Sequence, residues 1–165
     1  MKNKGFSLIE VITAVFILTV GVGGAFSLIY QTLSAVYVVR SELTASFLAQ
    51  EGIEIVKNLR DNAWLESRAA TSTDWLANLS AAGGDYEVDA STQYLTQAYG
   101  PNYMKVDDDG FYNYSSGTQT NFTRKVSLSN VSTTTVQVAV TINWETGGRD
   151  HSLEVVESIT NWYEK

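Results

Sequence analysis

The chain has no cysteine, one proline, one histidine and few cations. Each scarcity removes a class of function. Without cysteine there is neither a disulfide framework nor a thiolate metal site. His151 is the only histidine, so a histidine-rich metal site is excluded. A catalytic triad would have to use that one residue beside a hairpin turn. No nucleophile, base and metal set clusters in the sequence, so neither enzymatic activity nor a cofactor is expected. Lys and Arg number 11 against 18 Asp and Glu, a net charge of -7. An acidic chain does not capture nucleic acid electrostatically, and no direct nucleic-acid binding is expected.

The most informative scarcity is local. From Phe6 to Tyr30 the only charge is Glu10, and from Val11 to Val39 there is none. A bilayer core needs about 20 consecutive apolar residues as a helix, so this stretch is long enough to span. Lys2, Lys4 and Gly5 precede it. A secretory signal peptide places its small-residue cleavage site after the apolar run. Here the small residue comes before it. Cleavage after Gly5 keeps the helix in the mature protein and leaves Phe6 as the new N-terminus. Lys2 and Lys4 hold the N-terminus in the cytoplasm by the positive-inside tendency, with the rest of the chain outside.

The run Lys4-Gly5-Phe6-Ser7-Leu8-Ile9-Glu10 and the apolar stretch after it resemble the N-terminus of the type IV pilin superfamily. That superfamily comprises type IV pilins and the pseudopilins of type II secretion and competence machines. The resemblance implies a leader, residues 1–5, removed by a prepilin peptidase, with N-methylation of Phe6. It also implies that Glu10 pairs with the methylated amine of Phe6 in a neighbouring subunit. The alternative for Glu10 is that it merely snorkels to the membrane interface. Gly21, Gly23 and Gly24 lie inside the apolar run. They read either as sites of close helix packing or as a soft point. The proline that several pilins carry near this depth is absent, since the only proline is Pro101.

Residues 6–30 are thus expected as a transmembrane and filament-assembly helix, and residues 31–60 as its amphipathic continuation. Leu33, Val36, Val39, Leu43 and Phe47 recur every three or four residues, and Ile53, Val56 and Leu59 extend the stripe. This pattern predicts one covered face, an end near Leu59 to Trp64, and a bend at Gly52. Residues 61–101 read as a variable connecting region. It holds a short helix at 74–79 capped by Thr73 or Asp74, a break at Ala81-Ala82-Gly83-Gly84, and weak strand signals at Tyr86, Val88, Tyr94 and Leu95.

Residues 102–165 read as an antiparallel β-domain. Tyr103–Val106 and Phe111–Tyr114 form a hairpin around Asp107 to Gly110. The acids there also suggest a calcium loop. Counting from Asp107, however, an EF-hand would need glycine at Tyr112 and glutamate at Thr118, so this is not an EF-hand; turn chemistry is the better account, and a less regular calcium site is the alternative. Val136, Val138, Val140, Ile142 and Trp144 alternate with polar residues. A two-residue turn at Gly147-Gly148 then sets Trp144 opposite His151, Ile142 opposite Leu153 and Val140 opposite Val155. A loop at Thr133 to Thr135 is expected to pair Leu128 with Val140, Val126 with Ile142 and Arg124 with Trp144. That arrangement either stacks the guanidinium on the indole or leaves Arg124 pointing to solvent. Phe122-Thr123-Arg124, Trp144 and Asn161-Trp162 resemble the C-terminal pattern of minor pilins and I-type pseudopilins. The sequons at Asn78, Asn113, Asn121 and Asn130 read as chance matches.

The expected fold is α+β: a long N-terminal helix, transmembrane and then amphipathic, packed on a C-terminal antiparallel sheet. The expected function is a structural subunit, minor rather than major, of a type IV pilus-like filament. A pseudopilin of a secretion or DNA-uptake system is the alternative, and a single-pass membrane enzyme or receptor stands behind both. The implied partners are other pilin or pseudopilin subunits, the prepilin peptidase, the inner-membrane assembly platform and membrane lipid. The implied location is the cytoplasmic membrane before assembly and an extracytoplasmic or cell-surface filament afterwards.

Overall fold

The computed structural model describes residues 5–69, 75–79, 83–92, 95 and 98–161. It divides into two compact units, one up to Arg40 and one from Ser41 onward. Helix α1 (Leu8–Ala69), of 62 residues, contributes to both.

From Leu8 to Tyr37 α1 is exposed all round and largely apolar, the character of a membrane span rather than of a surface helix. It is long and apolar enough to cross a membrane. The helix runs through Gly21, Gly23 and Gly24 without interruption. A Cβ at any of the three would meet nothing within 4 Å.

In the second unit α1 packs on a six-stranded antiparallel sheet. The strands are β1 (Gly84–Tyr86), β2 (Tyr103–Val106), β3 (Tyr112–Asn113), β4 (Thr118–Ser132), β5 (Thr135–Thr146) and β6 (Arg149–Thr160). Their order is β3-β2-β4-β5-β6, with β1 paired to β4 at Val126 to Leu128. A 3-10 turn at Ala77–Leu79 stands where a short helix is expected; its expected caps, Thr73 and Asp74, lie outside the described residues, as do Ala81, Ala82, Tyr94 and Trp162.

The buried face of α1 holds Ile53, Val56 and Leu59 as expected, but differs from the expected one in the turns before them. Ala45, Leu48, Ala49, Ile53, Val56, Leu59 and Ala63 are buried, whereas Leu33, Val36, Val39, Leu43 and Phe47 are exposed. Size explains the difference. The large residues mark a stripe, but the face that meets the sheet is the one whose alanines and glycine allow close approach. Gly52 sits at that contact: a Cβ there would lie 3.0 Å from Val140 Cγ1 and 3.3 Å from Arg124 Cδ. Its role is therefore contact with the sheet, where a bend was expected. The helix also passes its expected end and reaches Ala69. Ala63 and Trp64 are still buried in the core, and neither glycine nor proline follows before Ala69 to stop it.

The β5–β6 register is as expected. Thr146 pairs with Arg149, Trp144 with His151, Ile142 with Leu153 and Val140 with Val155. Gly147 and Gly148 both take positive φ, 64° and 72°, which a two-residue hairpin turn requires. The β4–β5 register is displaced by two residues from the expected one. Leu128 pairs with Val138, Val126 with Val140, Arg124 with Ile142 and Phe122 with Trp144. The connection is tighter than expected, with Ser132 paired to Thr135 and an irregularity between Asn130 and Ser132. A slip of two leaves every side chain on its predicted face, so alternation cannot detect it. The 103–114 hairpin forms with Val106 opposite Tyr112.

Candidate functional site

The N-terminal site is built on the first helical turn. Residues Gly5 to Ser7 precede the helix. The Ser7 carbonyl accepts the amides of Glu10 (3.0 Å) and Val11 (3.2 Å), closing the first turn. Glu10 thus lies in that turn, where the helix dipole favours a negative charge. Phe6 is 83% exposed, and Glu10 is exposed too. Gly5, Phe6 and Glu10 therefore fall together at the start of α1, and none of them is covered among the described residues.

Below this turn the polar side chains turn inward on the helix. The Thr13 hydroxyl donates to the carbonyls of Ile9 (2.9 Å) and Glu10 (3.0 Å). Thr19 donates to Phe16 (2.9 Å) and Thr32 to Leu28 (2.9 Å). Back-bonding of this kind satisfies hydroxyls where no water is available. The uncharged stretch from Val11 to Val39 covers about 43 Å at 1.5 Å per residue, more than a bilayer core of about 30 Å.

The second locus is inside the β-domain. Arg124 lies on the inward row of β4 among Phe122, Val126 and Leu128, and is fully buried. Its Nη1 donates to the Leu48 carbonyl (3.1 Å) and to Glu51 Oε2 (2.9 Å) on α1. Its Nη2 donates to the Val88 carbonyl. The guanidinium thus ties helix, sheet and the segment after β1 together; it neither stacks on Trp144 nor points to solvent. Trp144 stacks instead on His151, with ring centroids 5.4 Å apart, and tilts against Phe122 at 6.1 Å.

Polar groups extend this clamp outward. The Tyr114 hydroxyl donates to the Arg124 carbonyl (3.3 Å). Burial pushes the Tyr114 phenol up to about 12; Arg124 opposes the shift and Glu87 adds to it. Glu87 is buried, and its carboxylate accepts the backbone amide of Asn102 (3.2 Å) and its side-chain amide (3.1 and 3.0 Å). Burial alone would raise the Asp89 carboxyl. The hydroxyl and amide of Ser91, the amide of Tyr114 and the Thr92 hydroxyl outweigh that and hold it below the usual carboxylate range. In the β2–β3 turn, Asp107 Oδ1 accepts the amides of Asp109 (3.1 Å) and Phe111 (2.8 Å), an Asx-type turn that employs this carboxylate.

Sequence reasoning missed this helix clamp. Its signal was an arginine in phase with the apolar residues of β4, but the partners Leu48, Glu51 and Val88 lie far away in the chain.

A membrane-length helix with its acid in the first turn, continued onto an antiparallel sheet, defines a pilin-like α+β protein. Residues 1–26 match the family model described as the prokaryotic N-terminal methylation motif. That motif is the N-terminal signature of type IV pilins, and it supports a type IV pilin-like or pseudopilin protein. No curated protein and no solved structure matches it.

Proposed function

We infer that this chain is a structural, non-catalytic subunit of a type IV pilus-like filament, minor rather than major. In this reading prepilin peptidase cuts after Gly5, Phe6 is methylated, and α1 is the element through which the subunit polymerises. The observation that carries it is the methylation motif at the head of a helix whose apolar surface outruns the bilayer. About 20 residues cross the hydrocarbon core. Leu33, Val36, Val39, Leu43 and Phe47 lie beyond that span and remain exposed. Neighbouring subunits in a filament would cover them. Glu10 then faces apolar helices, where a carboxylate needs a partner, and the amine released at Phe6 is the nearest cation the motif supplies. Before assembly the N-terminus is cytoplasmic and the β-domain is outside; the assembly platform and other pilin-like subunits are its partners.

Mass spectrometry of the mature protein tests this reading. The expected N-terminus is methylated Phe6. An intact Met1 in assembled material overturns the reading.

A further inference from the structure

We propose that the outer face of the sheet binds a neutral, hydroxyl-rich ligand, an oligosaccharide. Cross-strand pairing places Tyr103 beside Thr123, Thr123 beside Asn143, and Asn143 beside Ser152. One row thus crosses four strands on the face turned away from α1. In the next row Glu145 pairs with Asp150, and the Asn121 side-chain amide donates to the Glu145 carbonyl. These two rows line an open groove of about 670 Å³, within the range of small-ligand sites.

Its chemistry narrows the ligand. The floor is short and polar, made of Thr123, Asn143 and Ser152, while Tyr103 rises beside it half exposed. Amides, hydroxyls and carboxylates offer paired donors and acceptors to neighbouring hydroxyl groups. An aromatic ring offers an apolar face with a polar tip, suited to the C–H face of a sugar. Among the described residues no lysine or arginine lines the groove, which disfavours phosphate, sulfate and other anions. Its charged groups are Glu145 and Asp150, so a sugar amine is accommodated and a sugar acid is repelled. Trp144 and His151 also border the groove.

The test uses the full chain in lipid nanodiscs on an array of neutral, amino and sialylated oligosaccharides, with empty nanodiscs as control. Retention on neutral or amino-sugar glycans is expected. Calorimetric titration with a retained oligosaccharide should show roughly tenfold weaker binding for Tyr103→Ala and Asn143→Ala, the scale of one lost contact. Thr123→Arg, which fills the floor, should abolish binding. Glu154→Gln lies outside the groove lining and should not change it. Circular dichroism of each variant confirms that the sheet is intact. No retained glycan, retention of sialylated glycans alone, or binding that survives Thr123→Arg in a folded protein overturns the proposal. The measurement is made on unassembled chain, so its outcome is separate from that of the filament reading.

Discussion

Arg124 offers the sharpest test of how the β-domain holds α1. Arg124→Met keeps a long apolar stem and removes the guanidinium. The Val88 carbonyl then loses its guanidinium donor in the interior, a loss of about 1–3 kcal/mol for an unsatisfied buried group. The Leu48 carbonyl lies within α1 and loses less, because helical backbone still bonds it. Glu51 is released, but its side chain is 35% exposed and water re-solvates it. The expected total is about 2–4 kcal/mol, a large share of the 5–15 kcal/mol typical of a domain. Glu51→Gln acts differently, because the charge left behind is the fully buried arginine. The two substitutions should therefore be non-additive. Glu51→Gln should be costly alone and nearly neutral in the Arg124→Met background, a coupling of about 1–3 kcal/mol. The assay is urea unfolding of the full chain in micelles, followed by the fluorescence of the buried Trp64, Trp75 and Trp144. Arg124→Met should lower the midpoint by roughly 1–2 M. Additive single effects, or a loss for Arg124→Met below about 1 kcal/mol, would refute the clamp.

Glu10→Gln and Glu10→Ala should leave insertion and cleavage intact but deplete the subunit from sheared filaments relative to the membrane pool; wild-type incorporation of both would show that Glu10 is not the assembly contact. Gly52→Leu should force α1 off Val140 and Arg124 and cost about 1–3 kcal/mol or more by overpacking, measured by thermal unfolding; an unchanged midpoint would contradict the close approach. Tyr114 has a folded pKa raised above its unfolded value, so its stabilisation is full below pH 10 and is lost as pH rises through about 12. An alkaline unfolding series should show this loss in the wild type, and Tyr114→Phe should lack it; an identical alkaline profile for the two would count against the burial of the phenol.

Several features were legible in the sequence because they are local. The Lys4-Gly5-Phe6 junction, the acid at Glu10 and the uncharged stretch to Val39 need no partner to be read. The β5–β6 register was legible for a related reason: two glycines fix a two-residue turn, and the turn fixes every pair after it. The hairpin around Asp107 followed from the same turn chemistry.

What tertiary structure decided was everything that depends on distance and size. The β4–β5 register required knowing how tightly Ser132 meets Thr135, since a two-residue slip leaves the alternation unchanged. The buried face of α1 was set by the fit of Ala45, Ala49 and Gly52 to the sheet, not by the larger Leu43 and Phe47. The fate of Arg124 was set by carbonyls and a carboxylate 36 to 76 residues away in sequence. Periodicity reports which side chains share a face; only the packed chain determines what that face meets.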